Sequence, residues 1–209
     1  MKDKFTRLKG YFKGMDKQSN SFKITDVGLY LPSSLGLMNK ALKIISEKKL
    51  ITDKDIALDA GSGDGRIVGL LAGIFGIPTI GIEYDHELVQ RSNNTIKYLK
   101  RIKIIEETKA EIIEGNFNLD KTYHKQGIEF AEFSFIFNYI NNQKFLAEKI
   151  RLQSKKGTRL LLLDPNKKQP ELFRGLNYVE PIILNEPPEE EINPLEKIMS
   201  TYYLHLYQK

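Results

Sequence analysis

Three glycines at alternate positions follow a short apolar segment and lead into a helical pattern. The segment reads Asp59-Ala60-Gly61-Ser62-Gly63-Asp64-Gly65 and is preceded by Ala57 and Leu58. Glycine lets the backbone turn sharply and lets a ligand approach with no Cβ in the way. A glycine-rich turn between a strand and a helix is typical of nucleotide sites. This pattern therefore indicates a nucleotide-binding turn.

The spacing of the glycines bears on which nucleotide fits. A dinucleotide fold places its third glycine three residues after the second, where this chain has Arg66, and the extra glycine falls at Gly65 instead. About one β-α unit later, a second apolar segment ends in Glu83, which is the position of a ribose-binding carboxylate. Two alternatives stay open: a dinucleotide site, and glycines that only close a turn while Glu83 caps the next helix.

The motif Asp-x-Gly-x-Gly-x-Gly, which begins at Asp59, resembles the first motif of the seven-stranded methyltransferases that use S-adenosylmethionine (SAM). The resemblance implies SAM as the cofactor. It implies that the glycine backbone faces the methionine part, that Asp59 lies near the ammonium group and that Glu83 accepts hydrogen bonds from both ribose hydroxyls. The cofactor-binding residues implied at the first two strands are Asp59, Gly61, Ser62, Gly63, Glu83 and Tyr84.

The third predicted strand is followed by Asn116 and Phe117. Asn116 stands where the family usually has an acidic residue that accepts from the adenine amino group, and its side-chain oxygen can accept the same bond. Phe117 is either an apolar wall for the base or a core residue. The resemblance therefore adds both to the candidate cofactor-binding residues.

The fourth predicted strand is followed by Asn138 and Tyr139, where the family keeps residues that face the transferred methyl group. These two are the candidate catalytic residues. No Pro follows Asn138, so the Asn-Pro-Pro-Tyr signature of amino methyltransferases is absent, which argues against methylation of a base amino group. In the alternative interpretation this stretch is a turn in which Asn141 and Asn142 cap the next helix.

A narrower resemblance extends over about residues 28–165. The segment Tyr30-Leu31-Pro32-Ser33 ahead of a helix, the glycine motif and Gly81-Ile82-Glu83 are similar to the small prokaryotic methyltransferases related to the disruptor-of-telomeric-silencing histone lysine methyltransferases. The resemblance implies that Tyr30 closes over the cofactor and that a protein lysine is the first choice of methyl acceptor. The acidic segment Glu189–Glu191 would attract a lysine-rich protein, or it is simply solvated. A small molecule or RNA as acceptor, and a non-catalytic SAM-binding module, are the alternatives.

The composition is typical of one globular domain, since 41% of the 209 residues are hydrophobic and 28% are charged. The absence of Cys excludes disulfides and thiolate metal sites, and the three histidines lack ligand spacing, so we predict no metal. The longest apolar stretch, residues 67–77, is shorter than the roughly 18 residues that a membrane helix requires. We therefore expect no membrane span and a cytoplasmic protein.

The net charge of +5 is concentrated at the N-terminus, because residues 1–25 contain seven basic and two acidic side chains. We predict a basic N-terminal arm, residues 1–27, and a methyltransferase domain, residues 28–209. A basic arm on a neutral body favours an acidic partner such as nucleic acid. A solvated, partly mobile terminus is the simpler interpretation.

Alternating strand and helix patterns from residue 56 onward predict an α/β fold with a doubly wound, mostly parallel seven-stranded sheet and an antiparallel C-terminal strand pair. Ser33 and Ser34 predict the start of a preceding helix. The predicted parallel strands are 56–60, 79–84, 111–114, 133–137 and 158–165, and the closing pair is 178–184 and 197–207. The predicted helices are 67–75, 86–102, 142–153 and a short one at 171–174, with a polar connection at 120–126. The carboxyl ends of the parallel strands share one edge, which places the candidate residues together.

Overall fold

The structure, a computed structural model, describes residues 3–17, 22–26, 28–106, 110–164, 171–184 and 202–209. A short hairpin is formed by β1 (Lys23–Thr25) and β2 (Gly28–Tyr30). The main sheet contains β3 (Ala57–Ala60), β4 (Thr79–Glu83), β5 (Ala110–Glu114), β6 (Phe135–Tyr139), β7 (Arg159–Asp164), β8 (Asn177–Leu184) and β9 (Tyr202–Gln208).

Six α-helices occur in the described residues. They are α1 (Lys4–Asp16), α2 (Leu35–Glu47), α3 (Arg66–Gly73), α4 (His86–Arg101), α5 (Asp120–His124) and α6 (Gln143–Gln153). Asp3, Ser34 and Asp85 cap α1, α2 and α4, because each side chain accepts a hydrogen bond from the backbone N–H three residues later. The predicted start of α2 at the serine pair is confirmed.

The strands of the main sheet lie in the order β5-β4-β3-β6-β7-β9-β8. The first five in chain order are parallel, and β9 lies antiparallel between β7 and β8. The predicted fold class is confirmed. The strand order reverses between β3 and β6, which makes the carboxyl edge beside β3 the topological switch point where ligands bind in open α/β sheets.

Several predicted boundaries are wrong. Strand β6 starts two residues later than predicted and continues to Tyr139, because its five residues are all buried, as expected for a central parallel strand. The predicted polar connection contains α5, and residues 171–174 form no helix. Part of the predicted last strand, residues 197–201, and the acidic segment 189–191 lie outside the described residues.

Two apolar clusters lie on opposite faces of the sheet, as a doubly wound fold requires. One contains the buried side chains of α1 to α4, and the other contains those of α6 and of the segment before β6. Leu8 and Phe12 of α1 are 0% and 1% exposed within the first cluster. The interpretation of the N-terminus as a solvated, partly mobile arm is therefore wrong for this helix.

The first helix lies along α4. The Arg7 guanidinium donates to the Ile102 carbonyl at 2.6 Å, and the rings of Tyr11 and Tyr98 stack with centroids 4.6 Å apart. The predicted domain boundary after residue 27 falls between the two strands of the hairpin. Among the helices of the described residues, none combines the length and the apolar character needed to cross a membrane.

Candidate functional site

A cavity lies at the carboxyl edge of the sheet, where the strand order reverses. Of the eleven residues that the sequence predicted for the site, all but Asn138 line it, namely Tyr30, Asp59, Gly61, Ser62, Gly63, Glu83, Tyr84, Asn116, Phe117 and Tyr139. The fold thus brings together residues from β2, from the turn after β3, and from the ends of β4, β5 and β6.

The glycine turn after β3 takes a backbone conformation that side chains disfavour. The φ angles of Gly61, Gly63 and Gly65 are 89°, 54° and 80°, all in the left-handed region that glycine adopts without steric cost. The space that a side chain would need is taken at Gly63 by Tyr30 and at Gly65 by Ser92. A Cβ on Gly61 would meet only Phe117, at 3.7 Å, so Gly61 is the glycine open to close approach by a ligand.

The glycine turn is held against β4 by two hydrogen bonds. The N–H groups of Gly61 and Ser62 both donate to the carbonyl of Ile82, at 2.9 and 3.0 Å. A Cβ placed on Gly81 would lie 2.7 Å from Cβ of Ser62. The glycine in β4 therefore makes room for the turn to cross the strand.

Glu83 is buried at the end of β4 and connects two loops. Its Oε2 accepts from the N–H of Gly63 at 2.8 Å, and its Oε1 accepts from the N–H groups of Tyr84 and Asp85 at 2.9 Å each. A carboxylate has about four acceptor positions. With these three bonds intact, Glu83 can accept one further hydrogen bond, so the expectation that it takes both ribose hydroxyls does not fit the geometry.

Asp59 is 2% exposed, and its Oδ2 is buried without a hydrogen-bond partner. Burial, followed by the nearby carboxylates of Glu83 and Asp64, raises the pKa of Asp59 well above its ordinary value. An unsatisfied buried carboxylate among two further carboxylates is costly. A cationic donor in the cavity would remove that cost.

The glycine turn also contains a buried ion pair. Nη2 of Arg66 donates to Asp64 at 2.8 Å and to Asp16 of α1 at 2.7 Å, and Asp64 is 1% exposed. Burial alone would raise the pKa of Asp64, but the charge and hydrogen bonds of Arg66 outweigh it, so the pKa lies below the ordinary value. This pair joins the end of α1 to the start of α3.

Tyr30 covers the glycine turn from the hairpin. A Cβ on Gly63 would lie 2.6 Å from Cε2 of Tyr30, so the ring lies directly on the backbone of this glycine. Burial and the charge of Asp64 raise the pKa of the Tyr30 hydroxyl. The ring borders the cavity at the turn. Its closing over the cofactor, which the narrower resemblance implies, stays a prediction.

The hairpin that carries Tyr30 is fastened at two points. Lys23 forms ion pairs with Asp85 at 2.9 Å and with Glu87 at 2.6 Å. On the other side, Asn141 accepts from the N–H of Leu29 at 3.3 Å and donates to its carbonyl at 2.8 Å. The hairpin therefore bridges the end of β4 and the loop after β6.

The two asparagines after β6 do not cap α6 with their side chains. Asn142 is the N-terminal flanking residue of α6 but makes no side-chain capping bond. Asn141 is committed to the hairpin, where a Cβ on Gly28 would lie 2.5 Å from its Oδ1. Asn142 thus occupies the N-cap position of α6 without a side-chain capping bond, whereas Asn141 does not cap the helix. Gly28 leaves the space that Asn141 occupies.

The end of β5 contributes one polar and one aromatic residue. Oδ1 of Asn116 accepts from the N–H of Asn118 at 2.9 Å, which leaves its amide donors and one acceptor position. Phe117 is 8% exposed, packs in the second apolar cluster and lies 3.7 Å from the position of a Cβ on Gly61. Phe117 is thus both a core residue and a wall of the cavity.

The two candidate catalytic residues lie on opposite faces of β6. Phe137 and Tyr139 line the cavity, whereas Asn138 is fully buried and donates from Nδ2 to the carbonyl of Ala60 at 2.7 Å. Successive side chains of a strand alternate in direction. Because β6 continues to Tyr139, Asn138 faces away from the cavity, and the structure does not support a catalytic position for it.

Sequence reasoning missed three residues of the site. Asp64 and Arg66 stand inside and directly after the glycine motif, where opposite charges two residues apart, just before an apolar run, were a usable signal. Asn141 had no local signal, because its partner Leu29 is 112 residues away in the chain.

No protein-family model matches the sequence, and no curated protein matches it at a significant level. Solved structures do match. A methyltransferase from Pyrococcus furiosus is 16% identical with a TM-score of 0.57, and the match covers 98% of this chain and 97% of that one. An RNA methyltransferase from Salinibacter ruber, in complex with S-adenosyl-L-homocysteine, is 18% identical with a TM-score of 0.54, over 85% and 93% of the two chains.

A third match is a precorrin-6y C5,15-methyltransferase from Geobacter metallireducens, 8% identical with a TM-score of 0.56, over 93% of this chain and 95% of that one. Identities this low establish a common fold and nothing about the reaction. The chain therefore has the Rossmann-like fold of these methyltransferases.

Proposed function

We propose that the protein is a SAM-dependent methyltransferase. The observation that carries the proposal is the pairing, in one cavity, of a glycine turn with left-handed φ angles and the buried carboxylates of Asp59 and Glu83. The unsatisfied Oδ2 of Asp59 fits the ammonium group of SAM. The fold shared with methyltransferases, one of them in complex with S-adenosyl-L-homocysteine, supports the same ligand.

The proposed roles follow the geometry of the cavity. The backbone of the glycine turn faces the methionine part, Asp59 accepts from the ammonium group, and the free acceptor position of Glu83 takes one ribose hydroxyl. Tyr84 and Phe117 border the adenine, and Asn116 offers its remaining polar positions to the base edge. Tyr30 closes the cavity over the glycine turn.

When bound, the cofactor would supply a methyl group on a sulfonium: the acceptor would bond to the methyl carbon as the carbon–sulfur bond breaks, and the neutral thioether S-adenosylhomocysteine would leave. The protein then has to align the acceptor with that methyl and exclude water, and positioning of this kind contributes ~7–11 kcal/mol. Tyr139 is the candidate residue that faces the acceptor, since it lines the cavity at the end of β6. No acid-base triad is needed for a displacement of this type.

The methyl acceptor stays a prediction, with a protein lysine as the first choice and RNA or a small molecule as the alternatives. Two of the structural matches methylate RNA and a precorrin by their names, which is compatible with the alternatives. Transfer of labelled methyl groups into a cell extract distinguishes the classes: protease removes a protein label and ribonuclease removes an RNA label. Binding of SAM without any labelled acceptor favours the non-catalytic module.

Calorimetry with SAM tests the proposal, with Glu83→Gln as the key variant. Loss of charge-assisted bonds contributing about 1.5–3 kcal/mol each predicts at least tenfold weaker binding. Glu111→Gln, an exposed acid at the end of β5 opposite the cavity, is the matched control and should change the Kd by less than about twofold. Wild-type protein that binds neither SAM nor its demethylated product at about 1 mM, a Kd that corresponds to about −4 kcal/mol, would overturn the proposal.

A further inference from the structure

Helices α1 and α4 lie side by side in opposite directions on the outside of the domain. Arg7 contacts Ile102, Tyr11 stacks on Tyr98, and the Tyr11 hydroxyl is 3.4 Å from Thr95 Oγ1. The N-terminal end of α1 thus lies beside the C-terminal end of α4. We name the cations along this contact the basic seam: Lys4, Arg7, Lys97, Lys100, Arg101 and Lys103.

The basic seam brings together cations that are distant in the sequence. Two come from the basic N-terminal residues, and four come from the end of α4 and the turn after it. Lys97, Arg101 and Lys103 are exposed. In the part of the chain that the structure describes, none of the six cations forms a salt bridge with a carboxylate.

An aromatic pair lies within the basic seam. Tyr11 and Tyr98 stack at 4.6 Å with an interplanar angle of 16°, and the Arg101 guanidinium carbon is 5.2 Å from the centre of the Tyr98 ring. A shallow depression beside them is bordered by four cations, Lys97, Lys100, Arg101 and Lys103, by one acid, Glu106, and by Asn94, Tyr98 and Ile105. Arginine and tyrosine next to a row of lysines suit phosphates with an adjacent base, whereas an acidic protein would not require the aromatic surface.

We propose that the basic seam binds the phosphate backbone of a nucleic acid. The seam's four cations on α4 and the turn after it fall within seven residues, and Arg7 lies beside them through its bond to Ile102. The seam is therefore one compact cationic patch, and the phosphates of a single strand can contact it. The other end of α1 reaches the cavity, since Asp16 contacts Arg66 at the glycine turn. This surface goes beyond the proposed function, because binding to it requires no cofactor.

The test compares two double charge reversals in the full chain. Lys97→Glu/Lys100→Glu removes two cations of the seam, and Lys40→Glu/Lys43→Glu makes the same change of charge at the same spacing on α2, where both lysines are exposed. Fluorescence anisotropy measures binding of a labelled 20-nucleotide RNA, and of DNA with the same sequence, between about 50 and 200 mM salt. Circular dichroism confirms that both variants fold.

We expect the seam variant to bind the nucleic acid at least tenfold more weakly than the wild type. The magnitude of the negative slope of log K against log salt should fall by about 1.4, because two single-strand phosphate contacts at about 0.7 each are lost. The control should change the affinity by less than about threefold. The RNA and DNA arms show which nucleic acid supplies the phosphates, and binding of either supports the proposal.

Three results would overturn it: no binding of either nucleic acid by the wild type at 50 mM salt, equal losses in the two variants, or equal competition by polyglutamate of the same charge. The last result would assign the seam to an acidic protein. Calorimetry with SAM on the same samples separates this proposal from the proposed function, since the seam variant should bind SAM as the wild type does. Failure of the wild type to bind SAM would leave the nucleic-acid result intact.

Discussion

Asp59 shows how the arrangement of a single residue can favour ligand binding and lower the stability of the ligand-free protein. Its carboxylate is buried, one oxygen has no partner, and the carboxylates of Glu83 and Asp64 lie nearby. Each of these features disfavours the charged form. Glu83 differs, because three backbone N–H groups satisfy it. The two acids at this edge of the sheet therefore differ in hydrogen bonding: Glu83 is satisfied by the protein, whereas Oδ2 of Asp59 has no partner.

Asp59→Asn should stabilise the free protein increasingly as the pH rises. The pKa of Asp59 in the folded state lies above its ordinary value of 3.8. The stability that this shift contributes to the wild type is fully present below pH 3.8 and is lost as the pH rises through the folded pKa. The Asn side chain does not titrate, so the variant does not lose it. Urea unfolding at pH 4 to 8 measures the free energy of unfolding of both proteins. The value for the variant minus that for the wild type should increase with pH. A difference independent of pH would contradict the raised pKa of Asp59.

Asp59→Asn should also bind SAM at least tenfold more weakly than the wild type in calorimetry, since one charge-assisted bond is lost.

At the scale of elements, the site depends on the hairpin that covers it. Strands β1 and β2 have three residues each, and so short a hairpin is not stable alone. Lys23 fastens it to the start of α4 and Asn141 fastens it to the loop after β6. Similarly, Arg66 fastens α1 to the glycine turn. Side chains distant in sequence thus decide where these small elements lie.

Asn141→Ala should loosen the hairpin without unfolding the domain. It removes two hydrogen bonds to Leu29, each with a net contribution of about 0.5–1.5 kcal/mol, so hydrogen exchange at the Leu29 N–H should become at least tenfold faster. SAM affinity should fall with it, because Tyr30 follows Leu29 in the same strand. Lys144→Ala, an exposed change on α6, is the control. Unchanged exchange at Leu29 in the Asn141 variant would show that Lys23 alone holds the hairpin.

In the molecule as a whole, the last strand of the chain is an inner strand of the sheet. Strand β9 lies between β7 and β8, and Leu204 and Leu206 are fully buried in the first apolar cluster. The C-terminal strand therefore joins the parallel part of the sheet to its outer strand.

Leu206→Ala should destabilise the protein by about 2–5 kcal/mol, the usual cost of such a cavity in a core. Gln208→Ala, an exposed position on the same strand, should change the free energy of unfolding by no more than about 0.5 kcal/mol. Urea unfolding followed by circular dichroism measures both. Equal effects would mean that β9 does not pack into the core.

The fold class, the seven strands and ten residues of the cavity lining, out of eleven predicted, could be inferred from the sequence alone. The reason is local: the left-handed turn requires glycine, a helix start favours Ser or Asp, and buried parallel strands require apolar runs. These signals act within a few residues, so the printed sequence contains them.

The direction of the Asn138 side chain, the packing of α1 and the bonds of Asn141 to Leu29 become visible in the folded structure alone. Asn138 is opposite Ala60 in the pairing of β6 with β3, and its bond to the Ala60 carbonyl lets a polar residue lie inside the strand. The lysines of α1 suggested a solvated arm, but Leu8 and Phe12 find a core that residues far along the chain build. Burial and hydrogen bonding between distant segments depend on the folded arrangement, and no local pattern in the sequence records them.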